Sequence, residues 1–100
     1  MSETQTKHNR QTIFKVKEPS LHNVIMHNDD ETTMDFVVMV LKRIFHKSEQ
    51  DAEIIMLKIH NEDSAVVGTY YRDIAVSKSI YAMDLAKQNG FPLKVTTEEA

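Results

Sequence analysis

Residues 2–12 hold no apolar side chain, so they bury nothing that could offset the entropy of being ordered. Ile13, Phe14 and Val16 then give a brief alternating stretch, and Pro19-Ser20 marks the entry to a folded unit. We expect a disordered N-terminal tail over residues 1–18 and one domain over 19–100.

Within that domain the hydrophobic period switches repeatedly. Leu21, Val24, Ile25 and Met26 form a short apolar run between Pro19-Ser20 and Asn28-Asp29-Asp30, which predicts a strand ending in a turn. Thr32, three residues before Asp35, resembles a capping box, and Met34, Val37, Val38, Leu41, Ile44 and Phe45 recur at helical spacing. A first helix is predicted over about 33–46. Ser48 with Asp51 repeats the start signal, and Ala52, Ile55, Met56 and Ile59 predict a second helix over about 49–60. After the turn Asn61-Glu62-Asp63-Ser64, the run from Ala65 to Tyr71 is the strongest strand by β-branched and aromatic content. Asp73 is placed to cap a third helix, with Val76, Ile80, Met83 and Ala86-Lys87 along one side and Gly90 as the left-handed residue closing it. Leu93, Val95 and Thr97 alternate as a last strand.

The order β-α-α-β-α-β predicts a single small α+β domain, three helices against a three-stranded antiparallel sheet whose other face is partly solvated. The chain of 100 residues suits one core and not two. Having no cysteine, it excludes a disulfide scaffold, thiol catalysis and thiolate zinc sites, and is compatible with a reducing compartment. The longest apolar run, Phe36 to Leu41, is far short of the roughly 20 residues that span a bilayer, and no signal-peptide core opens the chain, so we expect a cytoplasmic protein and no membrane partner.

Charge divides the chain. Residues 1–18 carry a balance of +2 and residues 19–100 one of −5, which disfavours nucleic acid as a partner of the folded part.

Asn28-Asp29-Asp30-Glu31 sets three carboxylates and an amide between a strand and a helix start. A solvated turn stabilised by its own side chains accounts for it, whereas a calcium loop lacks both the turn glycine and the distal bidentate glutamate. His27, His60 and Asp29 or Asp30 could in principle ligate a metal, but without H-x-x-x-H or C-x-x-C spacing. We expect no cofactor and no catalytic machinery: there is no nucleophile elbow and no phosphate-binding glycine loop. The methionines at 26, 34, 39, 56 and 83 suit either core filling or an adaptable apolar pocket.

Taken in order, Pro19-Ser20, Asn28-Asp29-Asp30, Thr32-x-Met34-x-Phe36-Val37, Met56-x-x-Ile59-His60, Gly68-x-Tyr70, Asp73-x-Ala75-x-x-Lys78 and Pro92-Leu93 resemble the ClpS family of N-degron adaptors. The resemblance covers roughly residues 19–100. It implies an adaptor, not an enzyme, that holds proteins beginning with a large hydrophobic residue (Leu, Phe, Tyr or Trp) and delivers them to the N-terminal domain of a Clp AAA+ unfoldase. By the same resemblance Asn28, Asp30 and His60 would contact the substrate's α-amino group, with Asp29 at the pocket wall. Met26, Thr32, Met34, Val37, Met56, Ile59 and Leu93 would form the side-chain pocket, Met34 excluding β-branched residues, and Asp73 and Lys78 would face the unfoldase. Glu31, Thr33, Ile59 and Val76-Ser77 depart from the family's usual residues. Two other readings stand beside this one. One is an interaction module on the similar fold of the ribosomal stalk protein's C-terminal domain, and the other a metal-dependent hydrolase built on His27, His60 and an aspartate.

Overall fold

A computed structural model of the chain describes residues 19–100; the expected tail, 1–18, lies outside the described residues. Six elements follow in the expected order: β1 (Leu21–His27), α1 (Met34–Arg43), α2 (Glu49–Glu62), β2 (Ser64–Tyr71), α3 (Arg72–Gln88) and β3 (Lys94–Glu99). The strands form one sheet in the order β2-β1-β3, with β1 antiparallel to both neighbours. The architecture is the α+β one that the hydrophobic pattern predicts.

Alternation along β1 explains why it sits in the middle. Val24 and Met26 are fully buried, and Met26 stands opposite Ala65 of β2 and Val95 of β3, both also buried. The β1–β2 register slips between Val24 and Ile25, so that Val24 faces Gly68 and Ile25 faces Val66. Val67 is the extra residue of this bulge and is buried with the others. The Tyr70 ring lies back over Gly68, where a Cβ would come within 2.5 Å of the Tyr70 hydroxyl oxygen. Only a residue without a Cβ fits under that ring without a shift.

The helices confirm the pattern with four local corrections. Thr33, not Thr32, is the N-cap of α1: its hydroxyl accepts from the Phe36 N–H at 3.2 Å. The helix ends at Arg43, shorter than predicted, although Ile44 and Phe45 beyond it remain buried. Ser48 caps α2 as expected, accepting from the Asp51 N–H at 3.1 Å. Asp73 does not cap α3, because β2 runs straight into the helix and Tyr71 occupies the N-cap without a side-chain bond. Asp73 instead sits in the first turn, where a carboxylate complements the helix dipole.

The fourth correction concerns the phase of α3. Its buried line is Ala75, Ser79, Ala82 and Ala86, whereas Ile80 is half exposed. This helix packs against all three strands, and small residues along the contact line let it approach the sheet closely. Ser79 satisfies its hydroxyl by donating to the Ala75 carbonyl at 2.8 Å. Gly90 closes the helix at φ 79°, with the Phe91 N–H on the Ala86 carbonyl and the Gly90 N–H on that of Lys87, a Schellman end. Phe91 then packs against Phe36 in a tilted arrangement, ring centroids 4.9 Å apart, tying this end to the start of α1.

Candidate functional site

At the end of β1 the chain enters an irregular segment, residues 28–33, before α1 begins. Two anchors fix it. The Asn28 N–H donates to the Asp63 carbonyl at 2.8 Å, and Asp63 is the left-handed residue (φ 72°) that terminates α2. This bond sets Asn28 beside the last turn of α2, which carries His60.

The second anchor is Asp29. Its Oδ1 accepts the Glu31 and Thr32 N–H groups at 2.8 and 2.6 Å, and its Oδ2 accepts the Thr32 hydroxyl at 2.7 Å. Partial burial works against the charged carboxylate, but these three hydrogen bonds outweigh it and hold the Asp29 carboxyl below its ordinary range. Thr32 is thereby engaged backwards with Asp29, which leaves Thr33 to cap the helix.

Between this loop and the facing sides of α1 and α2 lies a cavity of about 350 Å³. Residues 28–33 form its polar side. Met34 and Val37 of α1 and Met56 and Ile59 of α2 form its apolar side, and His60 stands on the rim. Val37 and Ile59 are nearly inaccessible, while Met34 is 44% exposed, so the apolar wall grades from core to mouth. Spacing of three and four residues puts Met34 with Val37, and Met56 with Ile59 and His60, on common helix faces.

Of the expected pocket residues, the structure brings together Asn28, Asp29, Asp30, Thr32, Met34, Val37, Met56, Ile59 and His60. Met26 and Leu93 are not among those lining the cavity. Met26 points with Val24 into the sheet's buried face, and Leu93 is buried just before β3. Glu31 and Thr33 also line it, outside the set that the resemblance implies, and their place within the same short loop is the signal for them.

The two residues assigned to partner docking are differently placed. Asp73 is exposed beside a shallow depression formed with Pro19, Ser20, Tyr71 and Arg72. Lys78 reaches inward: its ammonium donates to the Ile44 carbonyl at 2.6 Å and sits 5.3 and 5.9 Å from the ring centroids of Tyr70 and Phe45. His27 faces away from the cavity to the other side of the sheet, where its Nε2 meets the Thr96 hydroxyl at 2.8 Å. The ligand set of His27, His60 and an aspartate is therefore not assembled, and among the described residues no group of three His, Cys, Asp or Glu could hold a metal ion. Among the same residues no helix is long and apolar enough to cross a membrane.

An anionic, hydrogen-bonding rim over an apolar recess suits a ligand with a cationic head and a hydrophobic arm. Comparison with known proteins points the same way. The family model for the ATP-dependent Clp protease adaptor protein ClpS matches residues 17–96. The ATP-dependent Clp protease adapter protein ClpS of Desulfotalea psychrophila is 42% identical over 101 residues, spanning 99% of each chain. That of Campylobacter jejuni strain RM1221 is 46% identical over 85 residues, 85% of this chain and 88% of the relative. Among solved structures, ClpS2 of Agrobacterium tumefaciens bound to L-phenylalaninamide superposes with a TM-score of 0.80 at 44% identity, over 83% of this chain and 100% of that one.

Proposed function

This chain belongs to the ClpS family of Clp protease adaptors, and from that premise we propose that it binds proteins through an N-terminal Leu, Phe, Tyr or Trp and delivers them to the N-terminal domain of a Clp AAA+ unfoldase. The observation that carries this reading is the single cavity in which Asn28, Asp30 and His60 stand over a wall of Met34, Val37, Met56 and Ile59. The relative seen with L-phenylalaninamide holds a molecule with a free α-amine and a large apolar side chain, the chemistry this cavity would accept.

Two terms of similar size account for the selectivity. An α-amine has an ordinary pKa of about 7.7–8.0 and is mostly a cation at neutral pH. Each charge-assisted hydrogen bond to it contributes roughly 1.5–3 kcal/mol. Burying a Leu or Phe side chain contributes about 1.5–3 kcal/mol more. Neither alone gives useful affinity after the entropy of association is met, so a free terminus and a bulky first residue are needed together. No group in the site has a bond-breaking task in this scheme.

Delivery would use the first turn of α3 around Asp73 as the docking face and residues 1–18 as the segment presented to the unfoldase, in the cytoplasm. A Leu-first fluorescent peptide and its α-acetylated twin, compared by anisotropy, test the reading. Acetylation removes the cation and leaves Asn28 and Asp30 desolvated without partners, so binding should disappear. Equal affinity for the two peptides would reject the adaptor function and favour an interaction module of the same fold.

A further inference from the structure

We infer that the sheet face turned away from the helices is a docking site for the chain's own residues 13–17, with Phe14 and Val16 seated on it as a strap. The inference does not depend on what the cavity binds. Under the delivery reading it leaves residues 1–12 as the free length offered to an unfoldase.

Strand alternation sorts the two faces of the sheet. Val24 and Met26 point to the buried side, so Leu21, Asn23, Ile25 and His27 belong to the other. The register sets Tyr71 beside Leu21 and Val66 beside Ile25, and Leu21, Val66 and Tyr71 are 48, 48 and 54% exposed. No described helix covers them. The polar side chains of this face already satisfy one another: the Thr69 hydroxyl donates to Asn23 Oδ1 at 2.7 Å, and His27 Nε2 meets the Thr96 hydroxyl at 2.8 Å. An apolar segment laid over the face therefore strands few polar groups.

Where the described chain begins names the occupant. Pro19 and Ser20 border a depression with Tyr71, at the corner where Leu21 pairs with Tyr71 and accepts the Ala100 N–H. Ahead of that corner runs Ile13-Phe14-Lys15-Val16-Lys17-Glu18, the one apolar stretch among residues 2–18. In an extended segment Phe14 and Val16 share a side. Val16 stands three residues before Pro19 and Phe14 five, which gives reaches of at most about 11 and 18 Å. Ile25 lies four residues along β1 from Leu21, about 14 Å. A reversal at Pro19-Ser20 thus sets Val16 over Leu21 and Tyr71, and Phe14 toward Ile25 and Val66. Charge agrees, because Glu98 stands opposite Asn23 on this face and Glu99 follows it, while the segment carries Lys15 and Lys17. So short a tether supplies a high effective concentration, and a small contact suffices.

The chain has no cysteine, so Thr12→Cys gives a single site for a nitroxide beside the segment. Amide signals of the full chain are then compared with the nitroxide active and reduced. Those of Ile25, Val66 and Thr96 should lose most of their intensity, and those of Val38 and Met39 on α1 little. Adding Phe14→Ser and Val16→Ser, which leave the core of residues 19–100 untouched, should restore the lost signals. Val66→Lys should do the same from the other side of the contact, and added salt should restore them in part. Weak broadening spread over the whole surface, or broadening centred on Met34 and Met56 of the cavity, overturns the inference. So does a sheet-centred pattern that survives the loss of Phe14 and Val16. Mixing nitroxide-bearing protein with isotope-enriched protein that lacks the label gives the remaining outcome: broadening carried between molecules assigns the face to a second copy and overturns the strap.

Discussion

The Lys78 ammonium donates to the Ile44 carbonyl oxygen at 2.6 Å, so a side chain of α3 satisfies the C-terminal end of α1. Ile44 is the C-cap of that helix, where unpaired carbonyls concentrate partial negative charge. Lys78→Met, which keeps the aliphatic stem, should lower stability by about 1–2 kcal/mol through loss of the charged hydrogen bond. Urea unfolding reads this directly. An unchanged midpoint would show that the bond contributes nothing and leave Lys78 available to a partner.

The three carboxylates of the loop should respond differently to removal. Asp29→Ala unties two N–H groups and a hydroxyl and should cost about 1–2 kcal/mol, as loss of a helix cap does. Asp30→Ala and His60→Ala remove exposed side chains and should leave the melting temperature within about a degree or two of wild type. Both should nevertheless reduce Leu-peptide affinity tenfold or more, as a lost charged hydrogen bond does. A large fall in melting temperature for either would assign it to the fold.

Much of this fold is legible in the sequence because its signals are local. Ser48 with Asp51, Gly90 at a positive φ, and the alternation of Val24 and Met26 each name their own structure. The phase of α3 is only partly legible, since the bulky Val76, Ile80 and Met83 outweigh Ala75 and Ala82 on any hydrophobicity scale, yet the small residues, with Ala86, make the contact. Neighbouring Thr32 and Thr33 are equivalent cap candidates until Asp29 engages the first. The meeting of residues 28–30 with His60 depends on the bond from Asn28 to Asp63, which no local pattern reveals. Met26, which the family resemblance places in the pocket, is turned into the core by strand alternation and does not line the cavity.

Peptide binding should be strongest below about pH 8 and weaken above it as the ligand's α-amine loses its proton, the rim carboxylates raising the bound amine's pKa above the free value. Anisotropy titrations from pH 6 to 10 check this. At the acid end the sign comes from Asp29, whose carboxyl is held below its ordinary value of 3.8. Its contribution is complete above the unfolded value and is lost as pH falls through the lower folded one. Between pH 5 and 2 the melting temperature of the wild type should therefore fall further than that of Asp29→Asn; parallel curves would show that Asp29 does not supply this dependence.

Met34 lines the cavity at the start of α1 and is 44% exposed. If its side chain limits space near the bound residue's β-carbon, Ile and Val collide with it while Leu and Phe, branching further out, do not. Met34→Ala should raise the affinity of Ile-first relative to Leu-first peptides at least fivefold, with some loss for Leu from reduced packing. Because the residue is half exposed, stability should change by less than about 1 kcal/mol. An unchanged Ile-to-Leu ratio would confine Met34 to helix packing.

Asp63 connects backbone conformation to the site. At φ 72° it occupies the left-handed region, which costs an ordinary residue about 1–2 kcal/mol and is tolerated best by glycine, asparagine and aspartate. In that conformation its carbonyl receives the Asn28 N–H, and the next residue, Ser64, pairs with His27 at the end of β1. Asp63→Gly keeps the geometry without the Cβ penalty and should bind Leu-first peptides like the wild type, with stability equal or up to about 1 kcal/mol higher. Asp63→Val places a β-branched side chain where φ is positive and should cost about 1–3 kcal/mol. Part of that strain relaxes by rotating the peptide unit whose oxygen holds Asn28, so affinity should fall at least fivefold even at temperatures where the variant is fully folded. Circular dichroism sets that temperature, and anisotropy at it gives the affinity. A folded Asp63→Val that binds as tightly as Asp63→Gly would show that Asn28 keeps its place without this bond.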